Sequence, residues 1–213
     1  MADSDRHVHL VDDDEAIRRS ASFMLRTSGY LVKTYASGDE FLESAKEAVP
    51  GCVLLDVRMP EMDGLEVQAA LKERGILLPV VVMTGHGDIN TAVEAMKLGA
   101  VDFVEKPFEK AVMLRAIEAA LERLDKSAKR HVRADEARAT LAALTSRELD
   151  VMKGLVRGHP NKTIAYDLEI SPRTVEIHRA NLMTKLEVHS LSDALRIAFA
   201  AGLGDEGEAG DGD

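Results

Sequence analysis

The sequence predicts an α/β domain followed by an all-α domain, and three observations lead to this prediction. In the first part of the chain, five short apolar segments alternate with five helical patterns, which is typical of a parallel sheet covered by helices on both faces. In the last third, four short helical patterns follow one another without a strand pattern between them. The chain of 213 residues is long enough for two such domains.

The predicted strands of the first domain are short runs of small and branched apolar residues, as expected for strands buried on both faces of a sheet. The third run, at residues 52–55, ends directly at Asp56. Gly29 and Gly99 end the first and the fourth helical pattern, because glycine readily adopts the backbone conformation of a helix end. The strands are predicted at 7–11, 31–35, 52–56, 79–83 and 101–105, and the helices at 16–28, 37–46, 64–74, 90–98 and from 109 onward.

The segment from residue 109 to about residue 138 is compatible with one helix, because it contains neither glycine nor proline. This is longer than the last helix of a small domain, so we expect the helix to continue into a linker. Its apolar seam is clear for only about two heptads, fewer than the three or four of a typical coiled coil, and a dimerising coiled coil remains an alternative. We predict a first domain at 1–124, a helical linker at 125–140, a second domain at 141–203 and a disordered acidic tail at 204–213.

Helix-start signals organise the second domain. Thr145 and Glu148 form a capping-box pattern. Asn161 is a candidate N-cap of the second helix, and Ser171 stands before Pro172 as an N-cap before a first-turn proline. Four short helices in about 60 residues, with a tight turn between the second and the third, are typical of a helix-turn-helix domain.

Charge is distributed unevenly along the chain. Residues 1–124 carry a net charge of −8, the linker +2, the second domain +1 and the tail −5, which suggests two modules with different partners.

The single cysteine, Cys52, excludes an internal disulfide framework and favours a reducing compartment. The apolar runs are far shorter than the roughly 20 residues that span a bilayer, and the start lacks a signal-peptide pattern. We therefore expect a cytoplasmic protein without a membrane partner.

Polar residues stand at the ends of four predicted strands, namely Asp12 with Asp13, Asp56, Thr84 and Lys106. The carboxyl ends of parallel strands meet at one edge of the sheet, where α/β proteins bind their ligands. Three carboxylates in one pocket repel one another unless a cation neutralises them, and oxygen ligands favour Mg²⁺. Lys106 can pair with an anion on Asp56, and Thr84 offers a hydroxyl group. The combination indicates a site that forms an aspartyl phosphate.

The acidic run contains a third residue, Asp14, so the residue pattern alone leaves open which two aspartates bind the metal. The apolar strand ends at Val11. We therefore assign Asp12 and Asp13 to the site, and Asp14 to the N-cap of the first helix.

The residues that carry a family resemblance are Asp12-Asp13, Asp56, Thr84 and Lys106-Pro107. This set resembles the motifs of two-component receiver domains, and the resemblance covers residues 6–124. It implies a flavodoxin-like fold with strand order 2-1-3-4-5. It also implies that a sensor histidine kinase transfers a phosphoryl group to Asp56.

The resemblance further implies a set of Mg²⁺ ligands. Asp13, Asp56 and the backbone carbonyl of Arg58 would bind the ion directly, and Asp12 would act through a water molecule.

A switch is implied in the same way. Phe103 occupies the position of the family's aromatic switch residue, which acts together with Thr84. The Lys106–Pro107 bond is expected to be cis, a form almost confined to bonds before proline. We expect phosphorylation to promote homodimerisation through the fourth helix, the fifth strand and the fifth helix.

Three segments of the second domain, at 144–148, 161–165 and 171–178, resemble the LuxR/NarL-type output domain. With residues 84–88 and 101–103, the whole chain resembles FixJ-type response regulators. The resemblance implies a transcription factor that binds double-stranded DNA, with RNA polymerase as a further partner. The predicted DNA contacts are Lys162, Arg173, Thr174, Glu176, His178, Arg179 and Lys185.

Two other functions are alternatives. An enzyme with an aspartate nucleophile, such as a haloacid-dehalogenase-type phosphatase, would carry a second aspartate two residues after the nucleophile. Here that position is Arg58, which cannot supply a proton at neutral pH, so we expect self-phosphorylation and slow self-dephosphorylation but no turnover of phosphate esters. The second alternative is an output domain that binds protein instead of DNA.

Overall fold

The computed structural model describes residues 6–85 and 89–204, except the side chain of residue 89. The predicted acidic tail lies outside the described residues from residue 205 onward, and so do residues 86–88 of the receiver-like pattern. The described chain divides into two compact units between Ser127 and Ala128. The domain boundaries 1–124, 125–140, 141–203 and 204–213 stay predictions.

The first unit contains the predicted five-stranded sheet, and all neighbouring strands pair in parallel. The strand order is β2-β1-β3-β4-β5, which confirms the order that the receiver resemblance implies. The strands are β1 (His7–Val11), β2 (Leu31–Tyr35), β3 (Gly51–Asp56), β4 (Val80–Thr84) and β5 (Asp102–Glu105). The helices are α1 (Glu15–Thr27), α2 (Gly38–Ser44), α3 (Gly64–Glu73), α4 (Ile89–Leu98) and α5 (Lys110–Leu141), and a 3₁₀ turn (Ala45–Glu47) follows α2.

Both faces of the sheet are covered, which explains why β3 and β4 are apolar up to their last residues, Asp56 and Thr84. Every residue of β3 and of β4 is buried. On one face, Leu55 belongs to a core with Phe41 and Val67. On the other face, Leu54 belongs to a second core with Leu25, from α1, and with residues of α5. Burial of apolar surface on both sides, at about 25 cal/mol per Å², stabilises the central strands.

The strand register brings the carboxyl ends of the central strands level with one another. Val11 is aligned with Leu55, and Asp56 is aligned with Met83. Asp12 and Asp13 therefore follow β1 at the same edge at which Asp56 ends β3. The Asp14 carboxylate accepts a hydrogen bond from the Ala16 amide and caps α1, as predicted.

Helix α5 is 32 residues long and includes the predicted linker. Met113 and Ile117 are buried in the first unit, whereas Leu141 is buried in the second. None of the helices in the described residues combines the length and the apolar character that crossing a bilayer requires.

The second unit consists of the end of α5 and four further helices among the described residues. The helices surround an apolar core. Of the four further helices, the first contributes Met152 to this core, the second Ile164, and the third Val175 and Leu182. The capping box of Thr145 and Glu148 is present, and Ser171 caps a helix that begins with Pro172. The helices are α6 (Ser146–Val156), α7 (Asn161–Asp167), α8 (Pro172–Lys185) and α9 (Leu191–Ala200).

One predicted cap is wrong. Pro160, not Asn161, is the N-cap of α7, and it makes no side-chain capping hydrogen bond. Asn161 is the first residue of the helix, and its Oδ1 accepts a hydrogen bond of 2.7 Å from Arg179 in α8. The asparagine side chain is therefore used to join two helices, which a local sequence pattern cannot reveal.

Candidate phosphorylation site and nucleic-acid interface

Three carboxylates meet at the carboxyl edge of the first unit's sheet. One oxygen from each of Asp12, Asp13 and Asp56 lies within 4.8 Å of the others. Asp12 is fully buried and Asp56 is 6% exposed, while Asp13 is exposed at the mouth of the pocket. Such a cluster is electrostatically unfavourable by itself and therefore attracts cations.

Lys106 is a cation that the chain itself supplies to two of these carboxylates. Its Nζ lies 2.7 Å from Oδ2 of Asp12 and 2.9 Å from Oδ2 of Asp56. The residue follows β5 directly, and the Lys106–Pro107 bond is cis. The structure thus brings together the lysine and the two carboxylates that lie 94 and 50 residues away in the sequence.

The pKa values of Asp56 and Lys106 reflect burial and the pairing of one lysine with two carboxylates. Burial raises the pKa of Asp56, and the negative charge of Asp12 raises it further, whereas the hydrogen bond and the positive charge of Lys106 lower it without outweighing the rise. Burial alone would lower the pKa of Lys106, but its hydrogen bonds to Asp12 and Asp56 outweigh this effect and the pKa is raised. Lys106 is therefore held in its charged form beside Asp56.

The cluster fits Mg²⁺ because its donors are all carboxylate oxygens. Oδ1 of Asp12 accepts a hydrogen bond of 2.9 Å from the Asp14 amide, and its Oδ2 binds Lys106. Both oxygens of Asp12 are thus engaged. A cavity of about 670 Å³ lined by Asp13 and Arg58 opens beside the cluster. The pocket can hold a hydrated cation on the side of Asp13.

Two residues near the site were missed by sequence reasoning. A Cβ atom on Gly64 would lie 2.3 Å from the carbonyl oxygen of Asp56, so the loop after β3 can close only with glycine there. Arg18 donates a hydrogen bond of 2.7 Å to the backbone carbonyl of Asp12. The sequence contains a usable signal at Gly64, since this glycine directly follows Asp63, the N-cap of α3, whereas nothing local marks Arg18.

The two predicted switch residues lie on either side of an apolar cavity. Thr84 is 2% exposed at the end of β4, and Phe103 is 42% exposed on β5. The cavity has a volume of about 590 Å³, and Ala92 and Met96 of α4 also line it. Phe103 therefore points outward in this conformation, with space for a side chain between it and Thr84.

The predicted DNA contacts lie on or near α8, but they are not all equally available. Arg173 and Glu176 are exposed and pair with each other at 3.3 Å, and Lys162 is exposed on α7. Thr174 and His178 are half-buried. Arg179 binds Asn161, and Lys185 Nζ binds Oε2 of Glu148 at 2.7 Å.

The salt bridge with Glu148 connects Lys185 to α6. The Glu148 side chain is 4% exposed and also accepts a hydrogen bond from the Thr145 amide. The hydrogen bonds from Lys185 and from the Thr145 backbone lower the pKa of Glu148 to about 2. Lys185 therefore has a structural partner within the unit, and its role as a DNA contact stays a prediction.

The low pKa of Glu148 predicts a pH-dependent stability. The folded unit binds this proton more weakly than the unfolded chain, so the contribution is present above the ordinary pKa of 4.5 and is lost as the pH falls through about 2. The variant Glu148→Gln should show faster amide hydrogen exchange in α6 and α8 than the wild type at pH 7, and the difference should shrink toward pH 2. Glu122→Gln, which breaks an exposed pair with Lys126, is the control and should have little effect. A difference that grows as the pH falls would contradict this account.

The fold and the site together define a class of protein. Receiver-type chemistry at one sheet edge and a helix-turn-helix unit in the same chain are the two parts of a response regulator. Residues 8–118 match the family model of the response regulator receiver domain, and residues 142–198 match that of the bacterial regulatory proteins of the luxR family.

Two relatives are similar to this chain along nearly its whole length. The transcriptional regulatory protein FixJ of Rhizobium meliloti (strain 1021) is 48% identical over 201 residues, which cover 94% of this chain and 98% of that protein. The response regulator protein TodT of Pseudomonas putida is 41% identical over 197 residues, covering 92% and 87%. The chain belongs to the response-regulator family with a LuxR-type output domain, and it is a two-component transcriptional regulator.

Solved structures give the same result. A structure of the response regulator StyR has a TM-score of 0.73 and 38% identity, covering 92% of this chain and 99% of that one. Full-length FixJ from B. japonicum has a TM-score of 0.59 and 44% identity, covering 93% and 98%. The predicted FixJ-type resemblance is thereby confirmed.

Proposed function

We propose that Asp56 accepts a phosphoryl group from a sensor histidine kinase, and that this modification controls DNA binding by the second unit. The observation that carries the proposal is the double contact of Lys106, whose Nζ lies 2.9 Å from Oδ2 of Asp56. A lysine at this distance can remain beside the carboxylate and also bind the oxygens of a phosphoryl group attached to it.

The transfer itself is a displacement at phosphorus. An oxygen of Asp56 forms a bond to phosphorus, and the bond between phosphorus and the kinase histidine nitrogen breaks. The electron pair of the broken bond stays on that nitrogen. Lys106 is positioned to balance the charge of the phosphoryl oxygens, and the Thr84 hydroxyl at the end of β4 is the group that would donate a hydrogen bond to one of them.

The metal ligands that we propose are Asp13, Asp56 and the backbone carbonyl of Arg58, with Asp12 acting through water. The hydrogen bonds that engage both oxygens of Asp12 support its indirect role. When bound, Mg²⁺ supplies positive charge to the carboxylates and to the phosphoryl oxygens.

The chain is a regulator and not an enzyme of the usual kind. We propose that its only reactions are Mg²⁺-dependent self-phosphorylation and slow hydrolysis of its own phosphoaspartate. Arg58 stands where a phosphatase would need a proton donor, and an arginine does not supply a proton at neutral pH.

The signal would leave the site through Thr84 and Phe103. A phosphoryl group on Asp56 adds acceptor oxygens that draw the Thr84 hydroxyl toward them. Phe103 can then turn into the cavity of about 590 Å³ that it shares with Thr84. Such a packing change biases an element between two arrangements, here the surface formed by α4 and β5.

Dimerisation through this surface is the output that we propose. Val93 is 47% exposed and Met96 is 43% exposed on α4, beside the exposed charges of Glu94, Lys97 and Arg115. An apolar centre with mixed charges around it can be self-complementary across a two-fold axis. Two output units would then bind half-sites about one DNA turn apart and gain avidity.

Sedimentation tests this mechanism. The wild-type chain should be a monomer alone and a dimer with beryllium fluoride and Mg²⁺, which mimic the phosphoryl group. Val93→Asp, on α4, should bind the mimic and stay a monomer, because it buries a charge in the proposed interface. The control Leu77→Asp changes a side chain that is 69% exposed outside that surface and should still dimerise. A monomer in both states, with DNA binding switched on, would support release of a masked output unit instead.

The remaining partners follow from the proposed role. Double-stranded DNA would be held through Lys162, Arg173, Thr174, Glu176, His178, Arg179 and Lys185, and RNA polymerase would be the further partner at the promoter. A kinase-coupled regulator of transcription works in the cytoplasm, and we propose that location. The proposed domains remain 1–124, 125–140, 141–203 and 204–213.

A further inference from the structure

The side chains of α8 divide into an inner and an outer face. Val175 and Leu182 are fully buried and define the inner face. Residues on the opposite side of a helix are those offset by about half a turn. The outer face consists of exposed residues at 173, 176, 177, 180, 181 and 184.

This outer face differs from the contact set that the sequence predicts. Arg179 is tied to Asn161 at 2.7 Å and Lys185 to Glu148 at 2.7 Å, so both side chains brace α8 against neighbouring helices. Ile177, which was not among the predicted contacts, is 51% exposed. It lies one turn after Arg173 and one turn before Asn181, in the middle of the outer face.

A single exposed apolar side chain is common on protein surfaces and by itself has no special meaning. Ile177 differs from such a side chain because of its position on α8. In helix-turn-helix proteins the N-terminal part of the recognition helix lies against base edges in the major groove. A side chain at the centre of that face is buried when DNA binds.

An isoleucine can recognise only one feature of a base edge. It has no hydrogen-bond donor or acceptor, and covering a polar base edge with it would leave that edge unsatisfied. The C5-methyl group of thymine is the one apolar group in the major groove. Ala180 is exposed three residues later, and its side chain is too short to block contact between Ile177 and the methyl group. The amide of the neighbouring Asn181 can hydrogen-bond to adenine N6 and N7.

We infer that Ile177 is a specificity-determining residue that reads a thymine methyl group in each DNA half-site. The inference rests on the proposed DNA-binding function and deepens it, because it names the base pair that the centre of the recognition face requires. The preferred half-site accordingly contains an A·T pair at that position.

Replacing thymine with deoxyuridine tests this, since it removes the methyl group and leaves every hydrogen-bonding group in place. The full chain, phosphorylated with acetyl phosphate and Mg²⁺, is first used to enrich sequences from a random duplex library. The enriched duplex is then made with deoxyuridine at one thymine at a time. At one position in each half-site the wild type should bind about fourfold more weakly, the expected loss for one buried methyl group.

Variants assign that loss to the side chain. Ile177→Ala should bind the thymine and deoxyuridine duplexes equally at that position, and Ile177→Val should keep part of the difference. Leu191→Ala, an exposed apolar residue on α9, is the control and should respond as the wild type does. Because Ile177 is exposed, none of these changes should lower the unfolding temperature.

The outcomes separate this inference from the function on which it rests. Enrichment of a specific sequence without any methyl dependence, or with a dependence that Ile177→Ala retains, would overturn the role of Ile177 and leave sequence-specific DNA binding intact. Failure of the phosphorylated chain to enrich any sequence would overturn the proposed function itself and this inference with it.

Discussion

Asp56→Asn should take up no phosphate from acetyl phosphate in the presence of Mg²⁺, whereas the wild-type chain should gain the mass of one phosphoryl group. The change keeps the size and shape of the side chain and replaces the nucleophilic carboxylate with an amide. The fold should persist, because Lys106 still has Asp12 as a partner at 2.7 Å. Intact-protein mass spectrometry measures the uptake directly.

The matched control is Asp39→Asn, the same chemical change at an exposed residue of α2. It should be phosphorylated as fully as the wild type. Uptake of one phosphate by Asp56→Asn would mean that another carboxylate is the acceptor, and peptide mapping of the phosphorylated chain would then identify it.

Arg173→Ala should weaken binding to the preferred DNA sequence by about 1–3 kcal/mol if its guanidinium contacts a base, and should relax the preference at that base pair. Its side chain is 83% exposed at the start of α8, where helix-turn-helix proteins approach the groove. Lys162→Ala should instead weaken all sequences alike and lower the salt slope of binding by about one, as expected for a phosphate contact.

Lys185→Ala separates a contact from a structural role. Because Lys185 pairs with the nearly buried Glu148, the variant should lower the free energy of unfolding of the second unit, whereas Arg173→Ala should not. Fluorescence anisotropy with specific and scrambled duplexes, together with thermal unfolding, measures both effects. Equal loss of affinity on every duplex for Arg173→Ala would contradict sequence readout by α8.

The parallel sheet was predictable because its signals are local. Buried central strands are apolar for most of their length, and in β3 and β4 the apolar run is followed directly by a polar residue, Asp56 and Thr84. The assignment of Asp14 as a helix cap followed from the same local logic. Local patterns therefore suffice to predict that Asp12, Asp13 and Asp56 lie together at one edge of the sheet, where the structure has them.

Other features depend on contacts between distant segments and could not be read in the same way. The bond between Arg179 and Asn161 spans 18 residues, and that between Lys185 and Glu148 spans 37. In the sequence, both basic residues resemble DNA contacts. In the folded unit both also pair with residues of other helices, and their role as DNA contacts stays a prediction. Ile177 is exposed at the centre of the outer face of α8, a position that charge patterns do not mark.

The central claim is that phosphorylation of Asp56 controls DNA binding by the second unit. The most direct measurement is the affinity of the full chain for its enriched duplex, before and after treatment with acetyl phosphate and Mg²⁺, in the wild type and in Asp56→Asn. We expect treatment to tighten binding by the wild type and to leave Asp56→Asn unchanged. Equal tightening in both proteins, or no change in a wild-type chain that carries the phosphoryl group, would contradict the claim.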